Sequence, residues 1–126
     1  MIKRYKYSIL ISAIICYLSL KSSSDFDKVK LFDFPNIDKL VHTCMYFGFT
    51  ATLIFETVVA GMKKRLICVL LLIPFFFGIL MEFLQGLLTT TRSASIYDIM
   101  FNSLGIVLAV AGWVIINISV RKNNLK

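Results

Sequence analysis

GILMEFLQGLLTTTRSASIYDIMFNSLG, residues 78–105, holds two apolar runs, a polar loop between them, and five side chains that hydrocarbon does not favour. Glu82 and Gln85 lie inside the first run and Arg92 in the loop, while Asp98 and Asn102 stand one helical turn apart at the head of the second. Ionisable and amide groups within an apolar helix are costly. Their presence therefore points first to a functional site and to helices that face one another rather than lipid. A polar loop flanked by such runs predicts a pair of membrane-spanning helices.

The flanking sequence extends this pair. Of the 126 residues, 58% are hydrophobic and only 17% charged, with mean hydropathy +0.80; a soluble domain carries about 25% charged residues. Apolar runs of span length predict an all-α integral membrane bundle of four transmembrane helices at about 5–22, 40–62, 66–88 and 96–120. They form a single domain over residues 1–126, with no room for a second. Pro74 is expected to kink the third helix without ending it. The first run, preceded by MIKRYK, also has the form of a signal peptide, but a retained first helix is the expectation. Cys16, Cys44 and Cys68 lie in apolar runs without metal-ligand spacing, so neither a metal nor a disulfide is expected of them, and no cofactor motif is present.

Charge sets the orientation. The clusters at 1–6, 61–65 and 121–126 together carry nine of the 14 basic residues and none of the seven acids, whereas residues 21–39 carry four of each sign. By the positive-inside rule both termini and the 61–65 loop face the cytoplasm, and the 21–39 and 89–97 loops face outward. This clustering also argues against nucleic acid as the partner of a chain with net charge +7.

In that topology Asp38, His42, Glu82, Gln85, Arg92, Asp98 and Asn102 all fall at the outer-leaflet end, from three helices and one loop. Glu82 is six residues from the end of its run, on the order of 9 Å deep. Asp98, Asn102, Gly105, Ala109 and Gly112 recur at spacings of 4, 3, 4 and 3, a stripe that is polar above and small below. Small residues at such spacing let membrane helices approach closely, so this stripe is expected to face other helices. Each residue also has a plainer role. Asp38 and Asp98 could cap helices, His42 could be a satisfied interfacial imidazole, and Glu82 and Gln85 could hydrogen-bond neighbouring helices. Arg92 could anchor at headgroups. Glu56, near the inner end of the second helix, is expected to snorkel toward Lys63 and Lys64 in a structural role.

D-K-x-x-H at Asp38, Lys39 and His42, E-x-x-Q at Glu82 and Gln85, and R-S-A-S-x-x-D-x-x-x-N-x-x-G from Arg92 to Gly105 resemble the VanZ-like family over about residues 36–115. The resemblance implies a small multi-pass protein of the bacterial cytoplasmic membrane. The family's namesake is associated with low-level resistance to teicoplanin, a lipid-tailed glycopeptide antibiotic. Three functions follow as expectations. The first is a site at which Arg92 and His42 hold the phosphate or carboxylate of a lipid-linked headgroup or lipoglycopeptide, and Gln85 and Asn102 hydrogen-bond it. The second is an enzyme with Asp38, His42 and Glu82 as acid–base candidates, a set that could also hold a divalent metal. The third is a polar cluster that only fixes helix register, for which a homo-oligomer is a natural setting. The expected partners are membrane lipids or a lipid-linked envelope precursor, with no resident cofactor.

Overall fold

The computed structural model describes residues 4–20, 37–61, 64–88 and 95–123. Five helical segments make up these residues: α1 (Lys6–Leu20), α2 (Ile37–Val59), α3 (Lys64–Leu70), α4 (Leu72–Leu88) and α5 (Ile96–Asn123). No strand occurs among the described residues. The expected third helix is thus α3 and α4, interrupted at Leu71. The cause lies in the sequence: Pro74 has no N–H to give and its ring crowds the carbonyl four residues back, at Leu70. The chain makes a one-residue turn there and continues with Pro74 in the first turn of α4, where proline is tolerated, so the expected kink leaves Cys68–Leu88 a single apolar span. At the end of α2, Gly61 takes φ 68° and its N–H reaches the Val58 carbonyl at 2.9 Å, closing the helix.

α2 runs along α5 and also packs against α1 and α4, so it is the central helix. Ile15, Tyr46, Phe49 and Ile106 form the core between them. Phe77 of the Phe75–Phe77 triple packs edge-on to Phe49 at 5.6 Å between ring centroids, while Phe75 and Phe76 point outward. The thiols of Cys16, Cys44 and Cys68 are free.

The exterior is apolar. Phe76, Leu87 and Ile115 are 61%, 65% and 63% exposed, whereas His42, Thr50, Glu56, Glu82, Gln85 and Asn102 are buried. Water selects the opposite arrangement, and hydrocarbon selects this one. Cys68–Leu88 and Ile96–Asn123 are long and apolar enough to cross a membrane. α2, at 23 residues, has a span's length of about 34 Å. α1, at 15 residues, is about 22 Å long, less than the hydrocarbon core. It is held by other means, described below.

Candidate functional site

The ends of α1 and α4 meet the beginnings of α2 and α5 at one end of the bundle. Four of the seven residues singled out from sequence converge there. His42 Nδ1 lies 3.0 Å from Asn102 Oδ1 and 3.8 Å from Glu82 Oε1. One ligand atom each from His42, Glu82 and Asp98 lies within 4.8 Å of the others. His42, Glu82 and Asn102 are buried, and Asp98 is half-buried at the mouth.

Local structure explains how Asp98 gets there. Ser95 opens α5: its carbonyl takes the N–H groups of Asp98 and Ile99. In a capping box the acid three residues on would reach back to the N–H of the capping residue. Here Ser95 N–H donates to Glu82 Oε2 at 3.4 Å instead, so α4 supplies that acceptor and Asp98 joins the cluster with His42. The positive end of the α5 dipole favours both carboxylates.

Close approach of α2 and α5 makes the His42–Asn102 contact possible. Thr43 Oγ1 bridges the two helices, donating to Lys39 O at 3.0 Å and lying 3.2 Å from Phe101 O. One turn below Asn102, Gly105 sits directly on the α2 backbone: a Cβ there would collide with Thr43 O and lie 2.9 Å from Phe47 N. Asn102, Gly105 and Ala109 of the stripe are buried. Gly112 has nothing within 4 Å of its would-be Cβ; the helices diverge there around a groove of about 410 Å³ lined by Ala51, Ile54, Trp113 and Asn117.

Other residues singled out from sequence have different surroundings. Asp38 lies inside the first turn of α2 rather than at its cap, and it is exposed although His42, one turn on, is buried. Gln85 is buried, and its amide nitrogen donates to Ser19 O at 2.9 Å. Arg92 lies outside the described residues. Gln85→Ala is expected to lower stability by about 1–2 kcal/mol, the cost of losing a buried hydrogen bond between α4 and α1. Thermal unfolding in detergent checks this.

Glu56 keeps the structural role expected of it but takes a different partner. It is 6% exposed and reaches α1 rather than snorkelling out. Its Oε1 accepts from Tyr7 N at 2.9 Å, and its Oε2 accepts from Ser8 N at 3.1 Å and Ser8 Oγ at 2.5 Å.

Three residues beside the cluster were not named as site candidates from sequence, although Lys39 stands within the D-K-x-x-H motif. Tyr46, one turn below His42, is 1% exposed and its hydroxyl has no hydrogen-bond partner among the described residues. Gly78 makes room for it: a Cβ there would lie 3.2 Å from Tyr46 Cε1 and 3.4 Å from Asn102 Nδ2. Lys39, at the mouth, holds its ammonium 5.7 Å from the Tyr97 ring centroid and 5.8 Å from that of Phe101. The spacing Asp38, His42, Tyr46, Thr50 was visible as a polar ladder every four residues, and would have found Tyr46.

A family model described as VanZ/LLP1 matches residues 3–117 of the chain. Neither a curated protein nor a solved structure matches it.

Proposed function

The chain belongs to the VanZ/LLP1 family, and from that premise we propose that the polar end of the bundle binds or modifies the headgroup of a lipid-linked cell-envelope molecule, or protects against a lipidated glycopeptide of the teicoplanin type. The observation that carries this reading is the convergence of His42, Glu82, Asp98 and Asn102 from three helices in a bundle whose outer faces are apolar. A lipid presents its headgroup at that depth. The basic clusters support placing this end at the outer leaflet of a bacterial cytoplasmic membrane, with both termini in the cytoplasm. Asp98 and Lys39 at the mouth, together with Arg92 in the adjoining loop, would make first contact, and the amide of Asn102 would read the headgroup below them. Gln85, through its bond to Ser19, would serve by holding α1 in place.

The test is to purify the protein from membranes and identify co-purifying lipids by mass spectrometry, for the wild type and for Arg92→Ala and Asn102→Ala. One lipid class enriched with the wild type and depleted roughly tenfold with the variants, about 1.4 kcal/mol of binding, is expected. Identical lipid profiles overturn the reading. Susceptibility of expressing cells separates the drug-directed form: protection against teicoplanin greater than against vancomycin supports recognition of a lipid tail, and equal protection removes it.

A further inference from the structure

We propose that His42, Glu82, Asp98 and Asn102 bind a divalent cation of the first transition row, Zn2+ or Mn2+ by donor type. Asp38, His42 and Glu82 were expected as a set that could also hold a divalent metal; the fold keeps His42 and Glu82 of that set, leaves Asp38 exposed, and adds Asp98 and Asn102, so the donors come from three helices far apart in the chain.

Geometry is the first argument. Bonds of about 2.0–2.2 Å from zinc to nitrogen and oxygen place neighbouring ligand atoms roughly 3.0–3.5 Å apart. His42 Nδ1 and Asn102 Oδ1 are already 3.0 Å apart, and His42 Nδ1 and Glu82 Oε1 are 3.8 Å apart. The ligand atoms of His42, Glu82 and Asp98 lie within 4.8 Å of one another, so rotation about the Asp98 side chain, which is half-buried at the mouth, closes the set.

Hydrogen bonding supplies a second, independent argument. His42 Nδ1 faces oxygens of an amide and a carboxylate, which are acceptors, and one ring N–H serves only one of them. A cation takes the Nδ1 lone pair and the oxygens together, and leaves the proton on Nε2. Asn102 is 3% exposed, and its Nδ2 has no hydrogen-bond partner among the described residues. Its Oδ1, aimed at His42 Nδ1, is the atom that would ligate the cation.

One imidazole and three oxygens, with no thiolate, suit Zn2+ or Mn2+ and disfavour Cu+. The cation also resolves a conflict of sign. Glu82 and Asp98 repel a phosphate or carboxylate placed beside them, and a divalent ion reverses that field and offers an open position to the anion. The cation site does not depend on the headgroup reading and is tested without lipid.

The experiment uses the full chain in detergent, stripped with EDTA and titrated with Zn2+, Mn2+ or Mg2+ alone, with bound metal counted after equilibrium dialysis. One equivalent of Zn2+ or Mn2+ per chain is expected. Affinity should fall by roughly 100-fold or more in His42→Ala and in Asp98→Asn, the upper end of what losing even an outer-sphere partner costs. Cys44→Ser and Cys68→Ser, which remove exposed thiols, should bind as the wild type does. Should His42→Ala fail to fold, Asp98→Asn at the half-buried mouth keeps the test. No bound metal in the wild type, preference for Mg2+ alone, or binding that survives Asp98→Asn and His42→Ala overturns the proposal. Metal binding without a co-purifying lipid would support the cation site while removing the headgroup reading.

Discussion

Gly105→Ala is expected to destabilise the protein by about 3 kcal/mol, at the upper end of overpacking costs, and to lower the unfolding midpoint on the order of 10 °C. The added Cβ meets backbone, Thr43 O and Phe47 N, and no rotamer change moves backbone aside. α2 and α5 must separate, and the packing along both helices loosens with them. Two contacts lie within a turn of the insertion: Thr43 Oγ1 to Phe101 O, and His42 Nδ1 to Asn102 Oδ1. Separation stretches both, so the substitution should also weaken whatever the polar end binds. Gly112→Ala is the control on the same stripe. It meets nothing within 4 Å, and alanine is the better helix former, so the midpoint should hold or rise slightly. Circular dichroism melts of the two variants in one detergent decide the matter. Equal midpoints would show that the α2–α5 contact is looser than the structure has it.

That contrast also marks how far the sequence reaches. The 4, 3, 4, 3 spacing of Asp98, Asn102, Gly105, Ala109 and Gly112 put them on one face, and the structure buries Asn102, Gly105 and Ala109 of that set. Spacing names a face but not the neighbour across it, so nothing distinguished Gly105, in contact with α2, from Gly112, beside open space. Helix existence was legible from hydropathy, and the one-residue turn at Leu71 is the kink expected from Pro74. Asp98 and His42 were legible as polar residues at one end of an apolar bundle. Tyr46 was not, because a tyrosine in an apolar run reads as core unless its place in the ladder from His42 to Thr50 is noticed. Glu56 and Gln85 were hardest to read. The donors to Glu56 lie 48 and 49 residues away, and the acceptor for Gln85 lies 66 away. Lys63 and Lys64, near Glu56 in sequence, offered a closer explanation than donors on α1.

Those two side chains together hold α1, which explains how a helix about 22 Å long keeps its place in the bundle. Gln85 takes its last turn through Ser19 O, and Glu56 takes its first through Tyr7 and Ser8. The need arises in the sequence. Tyr5 occupies the cap position, since its carbonyl accepts the first helical bond from Ile9, and a tyrosine side chain does not cap. The first turn of α1 contains no acid. A carboxylate from α2 therefore binds the second and third N–H groups of the helix, the two that a capping side chain on Tyr5 would have served. It also faces the positive end of the dipole, with Arg4 and Lys6 lining the same groove. Glu56→Ala removes the acceptor of three hydrogen bonds and leaves the donors of Tyr7 and Ser8 at the end of α1, beside the groove lined by Arg4 and Lys6. Bonds to charged groups contribute about 1.5–3 kcal/mol each, part of which solvent at the helix end recovers, so a loss of about 4 kcal/mol is expected. Glu56→Gln keeps one acceptor oxygen but turns an NH2 toward a donor, and roughly half of the loss should remain. The consequence that stability alone does not report is release of α1. Cys16 is half-buried on α1, with Sγ 3.5 Å from Met81 Sδ. In a Cys44→Ser, Cys68→Ser background, maleimide should label Cys16 slowly in the wild type and much faster in Glu56→Ala. Unchanged labelling together with an unchanged melting midpoint would mean that α1 is held by its apolar contacts alone.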